Sequence, residues 1–141
     1  VLDLPEVVSA AKTQGPQQNI RFVAPDMFHS PLPQHTELFS LIRVLHDHDD
    51  APVSQLLGRL HAALRPGGHL IIAEPMAGTP GATSIGDTYF SFYLWAMGSG
   101  RPRTAQELQQ MCLAAGFSRV REVKTPIPAL TRLLVAEKSS E

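Results

Sequence analysis

Two histidines and three aspartates follow directly on an apolar run in Leu41-Ile42-Arg43-Val44-Leu45-His46-Asp47-His48-Asp49-Asp50. An imidazole with an ordinary pKa of about 6.5 takes up a proton near neutrality, and needs only a carboxylate to orient it. Some twenty residues on, Pro66-Gly67-Gly68-His69-Leu70-Ile71-Ile72-Ala73-Glu74 ends a second apolar run on a carboxylate. His46 is therefore a candidate general base, Glu74 its orienting acid, and Asp47 the adjoining member of the catalytic set. The competing reading is that the cluster only solvates a strand end. For Asp49 and Asp50 that reading is preferred, as caps of the helix that Pro52 opens.

His46-x-His48-x-Asp50 also has the spacing of the first metal motif of metallo-β-lactamase-like hydrolases, where His and Asp ligands at an open position make a hydroxide. Here Ala51 stands where that motif usually closes on another histidine, and His61 and His69 fall within a helix and at a strand start. No metal site is assigned.

Strand ends supply the other polar candidates. Asp3 follows an apolar strand, where a carboxylate can grip two vicinal ribose hydroxyls or can stabilise a helix N-terminus. Asp26 and Met27 sit on a loop past a strand. They suit an adenine amino group and ring face, or else a plain Pro-Asp turn. The stretch Asp87 to Met97 carries Tyr89, Phe90, Phe92, Tyr93, Trp95 and Met97, which read equally as pocket wall and as core.

These residues must be held by alternating elements. Glu6 to Gln14 reads as a helix opened by Pro5 and ended by Gly15-Pro16, and Ile20 to Val23 as a short strand. A Pro-rich loop from Pro25 leads to Leu38–Leu45, almost wholly apolar and expected to be a central strand covered on both faces. Val53, Leu56, Leu57, Leu60 and Leu64 keep helical spacing. Pro66-Gly67-Gly68 forms a tight reversal into the strand His69–Glu74. After a loop from Pro75 to Gly86 and the aromatic helix, Thr104 and Glu107 form a capping box. Gly116 closes that helix at its C-cap. Strands near Val120–Lys124 and Arg132–Glu137 finish the chain. This order predicts an α/β fold, a mostly parallel sheet with an antiparallel last strand. Ligands then sit beyond the carboxyl ends of the strands, where Asp3, Asp26, His46-Asp47 and Glu74 converge.

The bulk numbers narrow the class. The chain has 141 residues, 43% apolar and 18% charged, with net charge −1. That is enough for one domain with a core that hides roughly two-thirds of its unfolded surface. Charges of both signs are interspersed, so nucleic acid is not an expected partner. The lone Cys112 lies on an apolar helical stripe and reads as core. It fits a reducing cytoplasm.

Taken in order and spacing, Asp3-Leu4-Pro5, Pro25-Asp26-Met27-Phe28, Arg43-Val44-Leu45-His46-Asp47, Pro66-Gly67-Gly68, Glu74-Pro75 and Gly100-Arg101-Pro102-Arg103-Thr104 resemble S-adenosylmethionine-dependent O-methyltransferases. These include the plant caffeate and flavonoid enzymes and bacterial relatives. The segments LIRVLHDHDD, AEPMAG and GDTYFSFYLWAMGSGRPRT look most like the bacterial hydroxyneurosporene (demethylspheroidene) enzymes of carotenoid biosynthesis. The resemblance implies a Rossmann-like class I methyltransferase sheet and S-adenosylmethionine as cofactor. Asp3 and Leu4 would hold its ribose and adenosine, Asp26 and Met27 its adenine, and Arg43 would stand where the family often has a lysine near it. His46 would be the base, Glu74 its steering acid, and Tyr93 and Met97 would line the acceptor pocket.

The chain departs from the family in three places. Pro102 replaces a second steering glutamate, His48 replaces a common tryptophan, and the glycine-rich loop of the first strand and helix is not in the sequence. Residues 1–141 thus resemble the C-terminal catalytic domain without its first strand and helix, inactive alone, from a parent that dimerises through a region outside the chain. The expected acceptor is a small hydrophobic hydroxylated molecule. Such an acceptor suits a cytoplasmic protein in transient contact with a membrane surface, although no basic amphipathic anchor is visible. The rival readings are a metal hydrolase and a non-catalytic, partner-binding fragment.

Overall fold

A computed structural model describes the chain apart from Gln14, residues 16–18, Pro25 and residues 83–87, and without the side chains of residues 88–90 and Tyr93. It separates into two compact units, Val1–Leu32 and Pro33–Glu141.

In the first unit, helix α1 (Pro5–Thr13) begins at the proline whose missing N–H would be unpaired there in any case. The strand expected over Ile20–Val23 contracts to one parallel bridge, Leu2 to Val23. Asp3 N donates to Val23 O at 3.3 Å and Val23 N to Val1 O at 3.0 Å. Gln14, Pro16 and Pro25, parts of the helix end and loop expected from sequence, lie outside the described residues.

The second unit is built on a four-stranded sheet ordered β1-β2-β4-β3, of β1 (Thr36–Ile42), β2 (Leu64–Glu74), β3 (Arg119–Val123) and β4 (Arg132–Glu137). β1 and β2 pair parallel, while β4 is antiparallel to both β2 and β3. Three strands therefore share a direction and the last is reversed, as the alternation of elements predicts. Helix α2 (Asp50–Ala63) buries Val53, Leu56, Leu57 and Leu60, the spacing of one apolar stripe. α2 packs against β2 and against α4 (Ala105–Ala114). Leu70 and Ile72 on β2 stand opposite Ala136 and Leu134 on β4, and all four are fully buried. Period-two alternation puts Glu74 on the same face of β2 as Leu70 and Ile72. The strand's core-facing side thus ends on a fully buried carboxylate.

Three local expectations are corrected. The run Leu38–Leu45 is strand only as far as Ile42; among the described residues β1 pairs with β2 alone, and Leu38 and Ile42 are half-exposed while Leu41 is buried. Pro66-Gly67-Gly68 is not a reversal before the strand but an irregularity within β2. Thr36 faces Leu64 and Leu38 faces His69, so two steps on β1 span five on β2. Gly67 has φ +69, and a Cβ at Gly68 would come within 2.9 Å of Arg65 O. The glycine closing α4 stands one place beyond the cap. Ala115 is the C-cap and Gly116 follows at φ +106, with Phe117 N donating to Cys112 O at 3.2 Å and Gly116 N to Leu113 O at 3.1 Å. That pair of bonds is the Schellman pattern, which needs the left-handed residue just past the cap. At its other end α4 has the predicted capping box of Thr104 and Glu107. No helix among the described residues is long and apolar enough to cross a membrane.

Candidate active site

β1 delivers the chain to the site through a sharp change of direction. Arg43 adopts a left-handed backbone (φ 55) while its N–H donates to Ala73 O at 2.9 Å. Val44 follows, and then Leu45–Asp47 form a single 3₁₀ turn with Leu45 and His46 buried. Glu74 closes on this turn from the end of β2. Its Oε2 accepts Leu45 N at 3.0 Å and His46 N at 3.3 Å, and lies 3.3 Å from His46 Nδ1. One carboxylate oxygen thereby satisfies the free amides that open the turn and faces the ring of its central residue. A carboxylate at Nδ1 favours the tautomer with its proton there, and the ring is flanked by a second carboxylate at its other nitrogen. Asp47 Oδ1 lies 3.3 Å from Nε2. The other Glu74 oxygen, Oε1, is buried and accepts no hydrogen bond among the described residues.

The predicted catalytic set of His46, Glu74 and Asp47 is thus brought together. Sequence reasoning missed what holds it. The guanidinium of Arg103 is completely buried. Its Nη1 donates to Leu45 O at 2.9 Å, its Nη2 to His48 O at 2.8 Å, and its Nε to Asp50 Oδ1 at 2.8 Å. Arg101 grips the same acid, with Nη2 at 3.1 Å from Asp50 Oδ2, and reaches Glu107 Oε1 at 2.9 Å. Bonds from Arg101 first, and then Arg103, hold the Asp50 carboxyl below its usual range. Ser99 Oγ donates to Asp47 O at 3.2 Å, and Gly100 N to Asp49 Oδ1 at 3.0 Å. Asp49 stands at the cap position of α2, but its side chain makes no cap bond and serves Gly100 instead. The capping role expected of Asp49 and Asp50 is therefore replaced by a link to the segment 99–103. The only sequence trace of this arrangement was two arginines flanking Pro102, some fifty residues from three acids.

A small pocket opens beside His46. Its wall is alkyl, with Pro75, Met76, Ala77, Ala82, Pro102 and Ala129. Thr79 also lines it, but its hydroxyl donates to Met76 O at 2.6 Å. Met97 is half-exposed and does not line this pocket, and the Tyr93 side chain lies outside the described residues, as do those of Tyr89 and Phe90. On helix α3 (Thr88–Met97), Leu94 is buried while Phe92 and Trp95 are exposed.

In the first unit, Asp3 Oδ1 accepts Leu4 N at 2.8 Å, and Leu4 is exposed. Asp26 makes a turn of its own: Oδ1 accepts Phe28 N at 2.8 Å, and Oδ2 lies 2.7 Å from His29 Nδ1. The His29 bond, then the Phe28 amide, keeps Asp26 below the ordinary carboxylate range. Met27 is half-buried. Two exposed carboxylates with an aliphatic and a thioether neighbour are the right donor set for a nucleoside. An adenine amino group at Asp26 would have to share its oxygen with His29.

The metal reading meets a direct obstacle. Both oxygens of Asp50 are bound by two guanidinium groups, whose charge repels a divalent cation. Among the described residues, no group of three His, Cys, Asp or Glu side chains is disposed to hold a metal.

The mixed sheet with one reversed strand, carrying a buried imidazole–carboxylate pair near the ends of its parallel strands, matches the Rossmann-like sheet of class I O-methyltransferases. Human N-acetylserotonin methyltransferase, solved in complex with SAM, superposes with a TM-score of 0.86 at 30% identity, over 99% of this chain and 40% of its own. A model of the O-methyltransferase domain matches residues 1–118, and the chain belongs to that family. The demethylspheroidene O-methyltransferase of Rhodobacter capsulatus is 43% identical over 139 residues, covering 98% of this chain and 35% of its own length. The acetylserotonin O-methyltransferase of Rattus norvegicus is 40% identical over 124 residues, 85% of this chain and 28% of its own. The chain thus spans about a third of the length of the relatives it matches.

Proposed function

We propose that this chain is the C-terminal catalytic part of an O-methyltransferase that moves a methyl group from S-adenosylmethionine to a hydroxyl of a hydrophobic acceptor. The observation that carries this reading is the buried His46 ring held on Glu74 by both its Nδ1 and its backbone amide. Asp3, Leu4, Asp26 and Met27 are the residues to hold the nucleoside. When bound, the cofactor supplies an electrophilic methyl group.

The protein's own part is alignment and proton removal. His46 receives the acceptor's hydroxyl proton at Nε2. Glu74 fixes the ring tautomer and, with Asp47, stabilises the imidazolium that forms, as the carboxylate of a catalytic triad does. An aliphatic alcohol is too weak an acid to be ionised by imidazole beforehand, so with such an acceptor the proton leaves as the new O–C bond forms.

For the acceptor we favour a hydroxylated carotenoid of the hydroxyneurosporene and demethylspheroidene kind. The mainly apolar wall beside His46, built by Pro75, Met76, Ala77, Ala82, Pro102 and Ala129, supports it. So does the similarity to the Rhodobacter capsulatus enzyme. A lipid-soluble acceptor fits a cytoplasmic protein that meets the membrane surface transiently, and the parent is proposed to be a homodimer.

The test is transfer of labelled methyl from S-adenosylmethionine by the full-length parent, offered hydroxyneurosporene, demethylspheroidene and N-acetylserotonin in parallel. Label in the carotenoids alone supports the whole reading. Label in N-acetylserotonin alone keeps the reaction and replaces the acceptor. A parent that binds the cofactor but labels none of the three leaves the acceptor open, and one that does not bind it favours a partner-binding role.

A further inference from the structure

The 3₁₀ turn that carries His46 is not self-supporting. Its internal bonds are long, 3.4 Å from Asp47 N to Val44 O and 3.2 Å from His48 N to Leu45 O, and this class of turn is weakly determined by its own backbone. Geometry must come from outside. Glu74 supplies one side. The other is supplied by Arg103, whose guanidinium takes the carbonyl before His46 and the carbonyl two residues after it, and is anchored on Asp50.

We propose that Arg103 is a positioning residue for the methyl transfer: by clamping Leu45 O and His48 O it sets the tilt at which the His46 ring meets Glu74. This rests on the reading of His46 as the base.

Three observations favour this over a purely structural role. A fully buried cation costs desolvation that an apolar side chain of equal volume would avoid, so stability alone does not call for an arginine here. Its two carbonyl partners bracket the base, while the acid that balances its charge is already held by Arg101. Its neighbour Pro102 lines the pocket together with His46, so the segment that clamps the turn also forms part of the site. Lysine cannot replace it, because one ammonium group lacks the planar fork needed to reach three acceptors.

The experiment uses the full-length parent and reads the His46 ring directly. Nitrogen–proton correlation spectra of the imidazole, assigned by their loss in His46→Ala, report the tautomer whether or not the acceptor is known. The unsubstituted protein is expected to show one tautomer with the proton on Nδ1, and Arg103→Lys a mixture of both. Asp50→Asn keeps the carbonyl contacts and weakens the anchor, so it should give a smaller change of the same sense, and it carries the test if Arg103→Lys does not fold. With an acceptor that turns over, Arg103→Lys should lower kcat by about tenfold or more while KM for S-adenosylmethionine stays within about twofold. In a His46→Ala background the same change should cost less than about threefold, because both substitutions act on one group.

An unchanged His46 spectrum in the folded variant, or equal losses of kcat in the two backgrounds, overturns the proposal. If His46→Ala itself leaves kcat intact, it is the assignment of the base that fails.

Discussion

Glu74 holds His46 twice with a single oxygen: Oε2 accepts the residue's backbone N–H and faces its ring Nδ1, both at 3.3 Å. Backbone and side chain of His46 are referred to one atom, so the ring has little freedom to turn without losing the amide bond. Removing the imidazole in the parent protein, as in His46→Ala, should lower kcat by about a hundredfold or more, the usual scale of a positioned general base, with cofactor affinity nearly unchanged. Turnover equal to the unsubstituted enzyme would dismiss His46 as the base.

Glu74→Gln separates orientation from folding. The amide oxygen can still accept the Leu45 and His46 backbone amides, but it offers no charge to an imidazolium. The amide nitrogen takes the place of the unpartnered Oε1, so stability should fall by no more than about 1–3 kcal/mol, while kcat falls by roughly ten- to a thousandfold. Denaturant midpoints and steady-state rates on the same preparations make the comparison. A larger loss of stability, with kcat falling in parallel, would give Glu74 a structural role only.

Gly100 packs tightly on the turn that carries His46. Its φ of +84 suits glycine, and a Cβ there would run into His46 O and come within 2.7 Å of Asp47 C. Gly100→Ala combines left-handed strain with a backbone collision. It should cost roughly 1–3 kcal/mol in a denaturant titration and lower kcat as well, because the displaced atoms carry the proposed base. Unaltered stability with full activity would show that the turn yields without consequence.

Features encoded locally were legible in the sequence. The stripe of Val53, Leu56, Leu57 and Leu60, the Thr104–Glu107 box and the strand ending in Glu74 each rest on spacings of a few residues, and each stands in the structure as expected. What escaped depends on distant partners. The apolar run Leu38–Leu45 reads as one strand because composition does not mark the point where Arg43 turns left-handed and the strand stops. Asp50 reads as a helix cap because its arginines are more than fifty residues away. The Pro66-Gly67-Gly68 irregularity keeps the signature of a turn but lies inside β2, where the close approach of Gly68 to Arg65 O and Glu37 O decides the glycine.

His61 gives the second unit a pH dependence of known sign. Its ring packs edge-on against Phe117, with centroids 5.0 Å apart, and against Gly116. Burial first, and then the charge of Lys138, depress its pKa below the ordinary 6.5. The unfolded chain therefore takes up this proton before the folded one does as pH falls. The contribution is complete above about pH 6.5 and is lost as pH drops through the lower folded value. Melting temperatures at pH 5.5 and 7.5 should differ less in His61→Gln than in the unsubstituted protein. An identical difference in the two proteins would assign the acid sensitivity elsewhere.

Cys112 should be chemically silent in the folded state. It is fully buried on α4, and desolvation pushes its thiol up to about 12. Only the thiolate reacts with disulfide reagents, and its population at neutral pH is then negligible as well as inaccessible. Modification by an aromatic disulfide should proceed at the rate at which the segment around α4 opens, independent of reagent concentration once the reagent is in excess, and should become immediate in denaturant. Cys112→Ser would place a hydroxyl in the same apolar site and should destabilise the protein, whereas Cys112→Ala should do so less, through lost volume alone. Rapid, concentration-dependent labelling under native conditions would mean that the α4 packing against β3 and β4 opens far more readily than its burial indicates.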